Sequence, residues 1–463
     1  MNSTKVRLTA AQHASLRAHL FPGDGKEAVA LALCGRSSSL GAELLVLHRL
    51  FPIEHEACDR GPQHITWPAI RIEPLLLEAV AKGFAIIKIH SHPNGFDGFS
   101  LVDDRSDRLL FDSIFGWLDS DRPHASAVML PDGRIRARTV DPDGSFEPIE
   151  SVVVVGDDVV LWRNEEPIEG VPAFAESHAQ LFGAGTTTLL RQLRFGVVGC
   201  SGTGSLVIEQ LARLGAGEIV VVDPDIVEAR NLNRIIGATT RDAAAETAKV
   251  DVMKRSIESI GLGTVVHGFQ KEVDEPEVIR ALALCDFLLG CVDSLVGRHR
   301  MGLISRYYVL PYVDVGVKLE ALADGTINQV AGSVHYMRPD GLDLMDRGMF
   351  SAEDLRAEEL YRTDRRAYDE QRGRGYVRGV AVRRPAVISV NMKAAGLAVT
   401  EMLARLHPFR IDENAEFATT RFSLSHGHWL LERADGEPSP RALRRVGRGD
   451  ASPMLDLPAL RVG

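Results

Sequence analysis

The 463-residue chain has no uninterrupted apolar run close to the ~20 residues that a bilayer-spanning helix requires, so no membrane span is expected. Its start, "MNSTKVRLTAAQH", lacks the apolar core of a secretory signal, and the expected location is the cytoplasm. Positive charge is not in excess: 53 Lys and Arg against 63 Asp and Glu give a net charge of −10. Phosphate backbones are bound by cationic fields, so a dedicated nucleic-acid binder is disfavoured. Cysteine is scarce and scattered, at Cys34, Cys58, Cys200, Cys285 and Cys291, with no CxxC pair. That speaks against a disulfide framework and a cysteine zinc ribbon, and suits a reducing compartment. No internal repeat is present.

The composition that is present, 45% hydrophobic and 25% charged, belongs to a soluble globular protein. The length exceeds one core and implies two or three domains. Residues 1–150 read as mixed strands and helices. They include a strand in "EAVALALCG", a helix in "EPLLLEAVAKG" with a glycine stop, a buried strand in "FAIIKIHSH", and an amphipathic helix in "DRSDRLLFDSIFGWL". "ASAVMLPDGRIRARTV" reads as a hairpin turning at Asp-Gly. Residues 151–188 read as a connector. From Phe195, "FGVVGCSGTGSLVIEQLARLGAGEIVVVDPD" runs strand, glycine loop, helix, strand, the opening of a doubly wound α/β domain over 189–432. Further strands are predicted at "TVVHGF", "DFLLGCVD" and "YVLPYVDVGV". Residues 338–384 are charged and poor in apolar residues, predicting a mobile loop. Residues 433–463, rich in Arg, Gly and Pro, predict a partly disordered tail.

Two stretches carry chemistry. The first is "HSHPNGFDGFSLVDD". Alternate residues of a strand share a face, so His90 and His92 can present two imidazoles side by side. Pro93 ends the strand, Gly95 and Gly98 let the chain fold back, and a helix beginning near Ser100 brings in Asp103. Two imidazoles and one carboxylate leave a fourth tetrahedral position for water, the arrangement of a catalytic Zn²⁺. Glu27 is the candidate general base, with Glu43 as the alternative, and Ser100 a donor to the developing oxyanion. These residues resemble the JAMM (MPN+, JAB) metalloprotease family over the first third of the chain. The resemblance implies a JAB/MPN-type α/β domain in which His90, His92 and Asp103 bind zinc. It also implies Ser100 and an upstream glutamate as catalytic residues, and cleavage after the tail of ubiquitin-like proteins.

The second stretch is "VVGCSGTGS", with Gly199, Gly202 and Gly204. Such glycines permit a tight turn and close approach to phosphate at a helix N-terminus, and Asp223 in "IVVVDPD" sits where a ribose hydroxyl would bind. Both features fit NAD equally well. The next residues, "DPDIVEARNLNRI" and "ETAKVDVMKRSI", add Asn231, Arg234 and Lys249, and "LLGCVDS" ends a strand on Asp293. Cations suit a triphosphate and the carboxylate suits Mg²⁺. The set resembles the ubiquitin-activating superfamily that includes the ThiF, MoeB and HesA adenylyltransferases. The resemblance implies a Rossmann-like domain binding ATP and Mg²⁺ through Gly199, Gly202, Gly204, Asp223, Asn231, Arg234, Lys249 and Asp293, with Arg234 and Lys249 catalytic. It also implies adenylation of a small protein's C-terminus and a homodimer formed through this domain.

The chain departs from those relatives. No cysteine follows Cys291, which reads as core, so no thioester cysteine is evident; Ser333, Ser351 and Thr363 are the candidate hydroxyls. His178 stands where relatives carry an arginine before the loop, and Ser201 where a glycine is usual. The fusion predicts one enzyme that both cuts and activates a ubiquitin-like β-grasp protein, with a conjugating-enzyme-like protein as a further partner. The alternatives are a sulfur-carrier activator for cofactor biosynthesis, and a nucleotide-binding scaffold without turnover.

Overall fold

The computed structural model describes residues 3–118, 120–164, 170–322, 324–373 and 385–461. They form two compact units: Met1–Glu166 with Arg306–Val309 and Pro440–Gly463, and Pro167–Ser305 with Leu310–Ser439. No described helix is long and apolar enough to cross a membrane.

The first unit is built on a nine-stranded mixed sheet. Its chain order is β1 (Ser3–Thr9), α1 (Ala10–Leu20), β2 (Val29–Ser39), β3 (Ala42–Pro52), a small hairpin of β4 (Asp59–Gly61) and β5 (His64–Thr66), α2 (Glu73–Lys82), β6 (Ala85–Ser91), α3 (Leu101–Leu118), β7 (His124–Met129), β8 (Ile135–Val140), β9 (Phe146–Pro148), β10 (Ser151–Val155) and β11 (Val159–Arg163). The spatial order is β11-β10-β1-β3-β2-β6-β7-β8-β9. Strand alternation divides the core. Ala30, Ala32, Cys34, Ile87 and Ile89 pack with Leu16 and Leu20 of α1. Val29, Leu31, Leu33 and Ile86 pack with Leu75 and Leu76 of α2 and with Phe111 and Ile114 of α3. Lys88 and His90 share the parity of Ile86 and so face α3. The α2 stop is Gly83 in the left-handed region, and the Asp132-Gly133 turn joins antiparallel β7 and β8, both as the sequence implies.

Two stretches differ from the sequence expectation. Residues 151–163 are not a connector but two strands of this sheet: β10 runs parallel to β1, and the fully buried "SVVVV" fits an interior position. Residues 440–461 are an ordered part of the first unit, not a loose tail. Gly447 O accepts from Gly35 N (3.1 Å), Val446 O lies 2.6 Å from His48 Nδ1, and Asp450 N donates to Arg36 O (2.8 Å). Glycine makes this approach possible, since a Cβ on Gly35 would lie 2.3 Å from the Arg448 carbonyl carbon.

The second unit contains α4 (Glu176–Gln192), β12 (Arg194–Val198), α5 (Gly204–Arg213), β13 (Glu218–Val222), α6 (Thr240–Ala244), α7 (Lys249–Ile260), β14 (Val265–Phe269), α8 (Pro276–Ala283), β15 (Phe287–Gly290), α9 (Leu295–Tyr308, its last three residues counted with the first unit), β16 (Tyr312–Ala321), β17 (Ile327–Met337), α10 (Ala352–Thr363), α11 (Arg365–Gly373), α12 (Ile388–Leu406), β18 (Thr419–Ser423) and β19 (His428–Glu432). Strands β14-β13-β12-β15-β16 are parallel; β17, β18 and β19 extend the sheet antiparallel. This is the expected doubly wound pattern with an antiparallel edge. Tyr308, predicted in a strand, ends α9, and the strand begins at Tyr312. The predicted mobile loop contains α10 and α11. A Ser351–Asp354 capping box starts α10, and Arg365–Asp369 and Arg366–Glu370 pairs lie along α11, so local bonds replace apolar burial. The rest of that stretch, 374–384, lies outside the described residues.

Gly35→Ala should destabilise the first unit by about 1–3 kcal/mol through overpacking. Gly116→Ala should be neutral or slightly stabilising, because Gly116 lies in α3 with nothing near its missing Cβ. Urea unfolding of both variants against the parent checks this; equal midpoints would contradict the packing of the C-terminal residues.

Candidate functional site

In the first unit, β6 and α3 are matched like the rails of a ladder. His90 and Lys88 are two residues apart on the strand; Asp103 and Asp107 are four apart on the helix. Both spacings cover about 6–7 Å. Lys88 Nζ meets Asp107 Oδ1 at 2.6 Å and His90 Nε2 meets Asp103 Oδ1 at 3.0 Å, with all but Asp103 almost wholly buried. His92 continues beyond the strand end, its Nε2 3.1 Å from His90 Nε2 and 3.6 Å from Asp103 Oδ2. His92 Nδ1 lies 2.9 Å from Phe96 O, so as the protonated nitrogen it donates there and turns Nε2 toward the cluster. His90, His92 and Asp103 form the metal-competent group found among the described residues.

The fit to an ion can be tested on these distances. Ligand atoms about 2.0–2.1 Å from a tetrahedral zinc lie roughly 3.3 Å from one another; the two Nε2 atoms are 3.1 Å apart, and Asp103 lies 3.0 Å from His90 Nε2 through Oδ1 and 3.6 Å from His92 Nε2 through Oδ2. Burial holds the His90 imidazolium pKa below its usual value, with Lys88 adding to the effect. Burial would also lower that of His92, but its bonds to Asp103 and Phe96 raise it. Burial would raise the Asp103 carboxyl, yet the two imidazoles hold it far below the carboxylate range. Buried His90 Nδ1 has no hydrogen-bond partner among the described residues.

Glu27 precedes β2, and its backbone is clamped by the small hairpin: its N–H donates to Gly61 O (2.9 Å) and its carbonyl accepts from Arg60 Nε (2.7 Å). Burial pushes its carboxyl pKa up, opposed by His92 and reinforced by Asp103, so it is an electrostatic neighbour of the cluster. Glu43 is not. It opens β3 opposite Ser38 and Thr4, beside Arg36 and Asp141. Ser100 is committed to capping α3: its N–H (2.7 Å) and hydroxyl (2.8 Å) both donate to Asp103 Oδ2. It therefore orients the carboxylate, whereas the sequence suggested a donor to an oxyanion.

In the second unit, the turn after β12 is closed by backbone contact. Gly199 has φ 94°, and a Cβ there would lie 2.6 Å from Cys291 O; one on Gly204 would lie 1.6 Å from Gly199 O. A Cβ on Gly202 would meet the Asn391 side-chain amide and, at 3.0 Å, Arg234 Cδ. Asp223 Oδ2 accepts from Cys200 N (2.7 Å) and Oδ1 from Asp225 N (3.0 Å). Lys249 reaches Asp225 Oδ2 (2.6 Å) and Asp223 Oδ1 (3.3 Å), so it is tied to these carboxylates. Burial raises the Asp223 carboxyl and Lys249 pulls it back. Asn231 is buried with Oδ1 accepting from Glu228 N (2.9 Å), fixing the turn that carries Arg234. Arg234 borders Gly202 and is an electrostatic neighbour of Asp293, which is exposed just beyond β15. Ser201 is tolerated at the turn, its carbonyl accepting from Ser205 N (2.9 Å). Cys291 is half-buried beside this loop.

The sequence model of the ThiF family matches residues 175–430, more than half of the chain. The chain belongs to the ThiF family. Among curated ThiF-type relatives, it is 28% identical over 145 residues to the SAMP-activating enzyme E1 of Haloferax volcanii, covering 31% of this chain and 49% of that protein. It is 27% identical over 165 residues to the ubiquitin-like modifier-activating enzyme 5 of Culex quinquefasciatus, covering 32% and 38%. The chain thus spans half or less of the length of these relatives. Among solved structures, it is similar to Escherichia coli MccB with ATP (TM-score 0.41, 16% identity, 58% of this chain and 75% of that one) and to PaaA (TM-score 0.42, 17% identity, 59% and 77%).

Residues the sequence reading missed also belong to the ThiF loop. Asn391 of α12 binds it, with its amide oriented so that nitrogen donates to Val387 O (2.8 Å) and oxygen accepts from Thr203 N (3.2 Å). The available signal is an Asn in "VNMKAAGLAV", a stretch whose other polar side chain is Lys393. Asp225, which holds Lys249, is in the sequence one acidic residue among several. His178 lies in α4 beside Phe174. Gly204→Ala should raise the dissociation constant for ATP by roughly 100-fold or more, about 2.7 kcal/mol. Titration with a fluorescent ATP analogue checks this, and unchanged affinity would separate the loop from nucleotide binding.

Proposed function

We propose that the chain carries two activities directed at the tail of one ubiquitin-like protein. The second unit adenylates the C-terminal carboxylate with ATP, and the first cuts the peptide or isopeptide bond that follows such a tail. The adenylation reading rests on family membership together with a glycine loop whose backbone contacts leave no room for side chains at Gly199 and Gly204. The named relatives activate ubiquitin-like modifiers and SAMPs, which supports the same substrate class here. In this reading the tail carboxylate attacks the α-phosphate and pyrophosphate leaves. Arg234, beside Gly202, neutralises the departing charge, and Lys249 adds to the field from its place between Asp223 and Asp225. Asp293 is the carboxylate that would hold Mg²⁺, an ion that neutralises phosphate oxygens when bound.

The peptidase reading rests on one observation: one ligand atom each of His90, His92 and Asp103 lies within 4.8 Å of the others, close enough to share an ion. A zinc ion there supplies an acidified water and polarises a carbonyl. Glu27, its carboxyl raised by burial, takes the proton and returns it to the leaving amine. Ser100 fixes the Asp103 carboxylate through their hydrogen bonds. The JAMM resemblance of these residues gives the substrate class. A sulfur-carrier protein in place of a conjugated modifier is the second reading, favoured by the lack of any cysteine after Cys291.

ATP–pyrophosphate exchange dependent on a small β-grasp protein tests the first activity, and cleavage of that protein extended by a C-terminal peptide tests the second. Asp293→Ala should lower exchange by about 100-fold or more, on the scale of losing one charge-stabilising group, and spare cleavage. His92→Ala should abolish zinc binding and cleavage, and spare exchange. Loss of both activities in either folded variant would sink the two-site reading.

A further inference from the structure

The candidate hydroxyls are engaged locally: Ser351 caps α10 through Asp354, Thr363 donates to Glu359 O (2.9 Å), and buried Ser333 lies 3.0 Å from His335 Nε2. A different feature of the ThiF unit has no role so far, a charged pair set under the loop that carries Asp293. Asp314 of β16 is fully buried. Arg298 of α9, its side chain 16% exposed, reaches it with Nε 3.6 Å from Oδ1. Desolvating two charges costs about as much as their attraction returns, and an apolar pair often packs as well. Stability alone therefore gives no reason for charges here.

We propose that Arg298 is a positioning residue for adenylation, holding Asp293 in place to take Mg²⁺, and that Asp314 anchors Arg298 to the sheet. This rests on the adenylation reading above. Arg298 brackets Asp293 from both sides. Its backbone N–H donates to Ser294 O (3.1 Å) and its side-chain Nε to Val292 O (3.3 Å). The residue between those two carbonyls is Asp293. The same guanidinium donates through Nη2 to Val315 O (3.4 Å), next to Asp314 on β16. Asp314 Oδ1 also accepts from the Tyr312 hydroxyl (3.0 Å), and Oδ2 has no hydrogen-bond partner among the described residues. Burial pushes the Asp314 carboxyl up, and Arg298 is the charge that opposes this. A planar fork of donors lets one side chain hold two backbone carbonyls and face a carboxylate at once, which a lysine could not do.

The surroundings fit this role. Glycine makes room for the arm, since a Cβ on Gly316 would lie 2.8 Å from Arg298 Nη2. The start of the loop is fixed against the nucleotide turn: Cys291 N donates to Val198 O (2.8 Å), and Cys291 O is packed on Gly199, where a Cβ would lie 2.6 Å from it. The end is fixed by Ser294, whose Oγ accepts from Gly297 N (3.1 Å). Asp293 is exposed, yet it projects from a loop tied on one side to the glycine turn and on the other, through Arg298, to β16. Mg²⁺ demands near-ideal octahedral geometry at about 2.0–2.1 Å, so a carboxylate that shares the ion with phosphates tolerates little displacement. Arg298 acts on the ion only through Asp293.

Calorimetric titration of the full chain with ATP, once with Mg²⁺ and once with EDTA, tests this without a partner protein. In the parent, Mg²⁺ should tighten ATP binding by roughly tenfold or more, the scale of one contact to a charged group, and Asp293→Ala should remove that gain. Arg298→Met combined with Asp314→Asn leaves no buried charge and keeps an acceptor for Tyr312, so the fold is spared. It should remove the gain as well, while binding in EDTA stays at the parent's level. Adding Asp293→Ala to that variant should cost nothing more, because both changes act through one carboxylate. Equal weakening with and without Mg²⁺ assigns the pair to packing and overturns the proposal. A gain retained without Arg298, or losses that add, also overturns it. Missing ATP binding in the parent removes the adenylation reading itself, whereas a gain that needs Asp293 but not Arg298 removes only the positioning role.

Discussion

Both candidate sites depend on one constraint: a buried strand must stop in a turn that delivers the chain to a helix packed back on the same sheet. In the first unit, β6 ends at Ser91 and α3 begins at Leu101; in the second, β12 ends at Val198 and α5 begins at Gly204. The following parallel strands, β7 and β13, oblige each helix to cross over the sheet. Such a junction brings strand-end groups and the helix's first turn to one point. The nine residues between β6 and α3 let side chains meet, giving two histidines and a carboxylate. The tight turn after β12 lets only backbone meet, giving a cradle of N–H groups. The difference in loop length therefore decides whether the junction suits a cation or an anion.

The metal-type junction is held by charge that the sheet has desolvated. Lys88 and Asp107 are buried one rung below His90 and Asp103, and Arg138 completes the group, donating to Asp107 Oδ2 at 2.8 Å and to Asp104 at 2.5 Å. The Arg138 guanidinium lies between the rings of Phe99 and Phe146, 3.9 and 3.7 Å from their centres. A buried pair of this kind adds little net stability against an apolar pair, but removing one member leaves an uncompensated charge, at a cost of about 3–5 kcal/mol. Its consequence is positional. With Asp107 and Asp104 tied to the sheet, the first turns of α3 can neither slide nor rotate, and Asp103 is left facing the histidines.

The parts legible in the sequence were those in which period and spacing act locally. Alternation on β6 and a helical turn beyond Ser100 were enough to bring His90, His92 and Asp103 together, and the glycine loop followed from its own steric demands. Long-range pairing was not legible. "SVVVV" announces a buried strand but not its partner, and nothing in residues 440–461 tells that Gly35 leaves space for them. Nor could composition separate a mobile loop from α10 and α11, whose stability lies in caps and ion pairs. Ser100 shows the limit within a site: the residue was named from the sequence, but its bond to Asp103, and so its part as an orienting group, required coordinates.

Asp223 shows how a ThiF-type nucleotide site divides its hydrogen-bonding capacity. A carboxylate offers about four acceptor positions. Cys200 N and Asp225 N occupy two and Lys249 approaches a third. One position remains, which under the proposed adenylation would serve a ribose hydroxyl, while the other three build the loop. Lys249 is constrained in the same way, since its ammonium is 2.6 Å from Asp225. It cannot move to a phosphate without leaving the buried Asp223 with less charge compensation. Under the proposed adenylation its effect on a triphosphate would be exerted from a fixed place, through the field, and direct contact with departing phosphate would fall to Arg234, which borders Gly202.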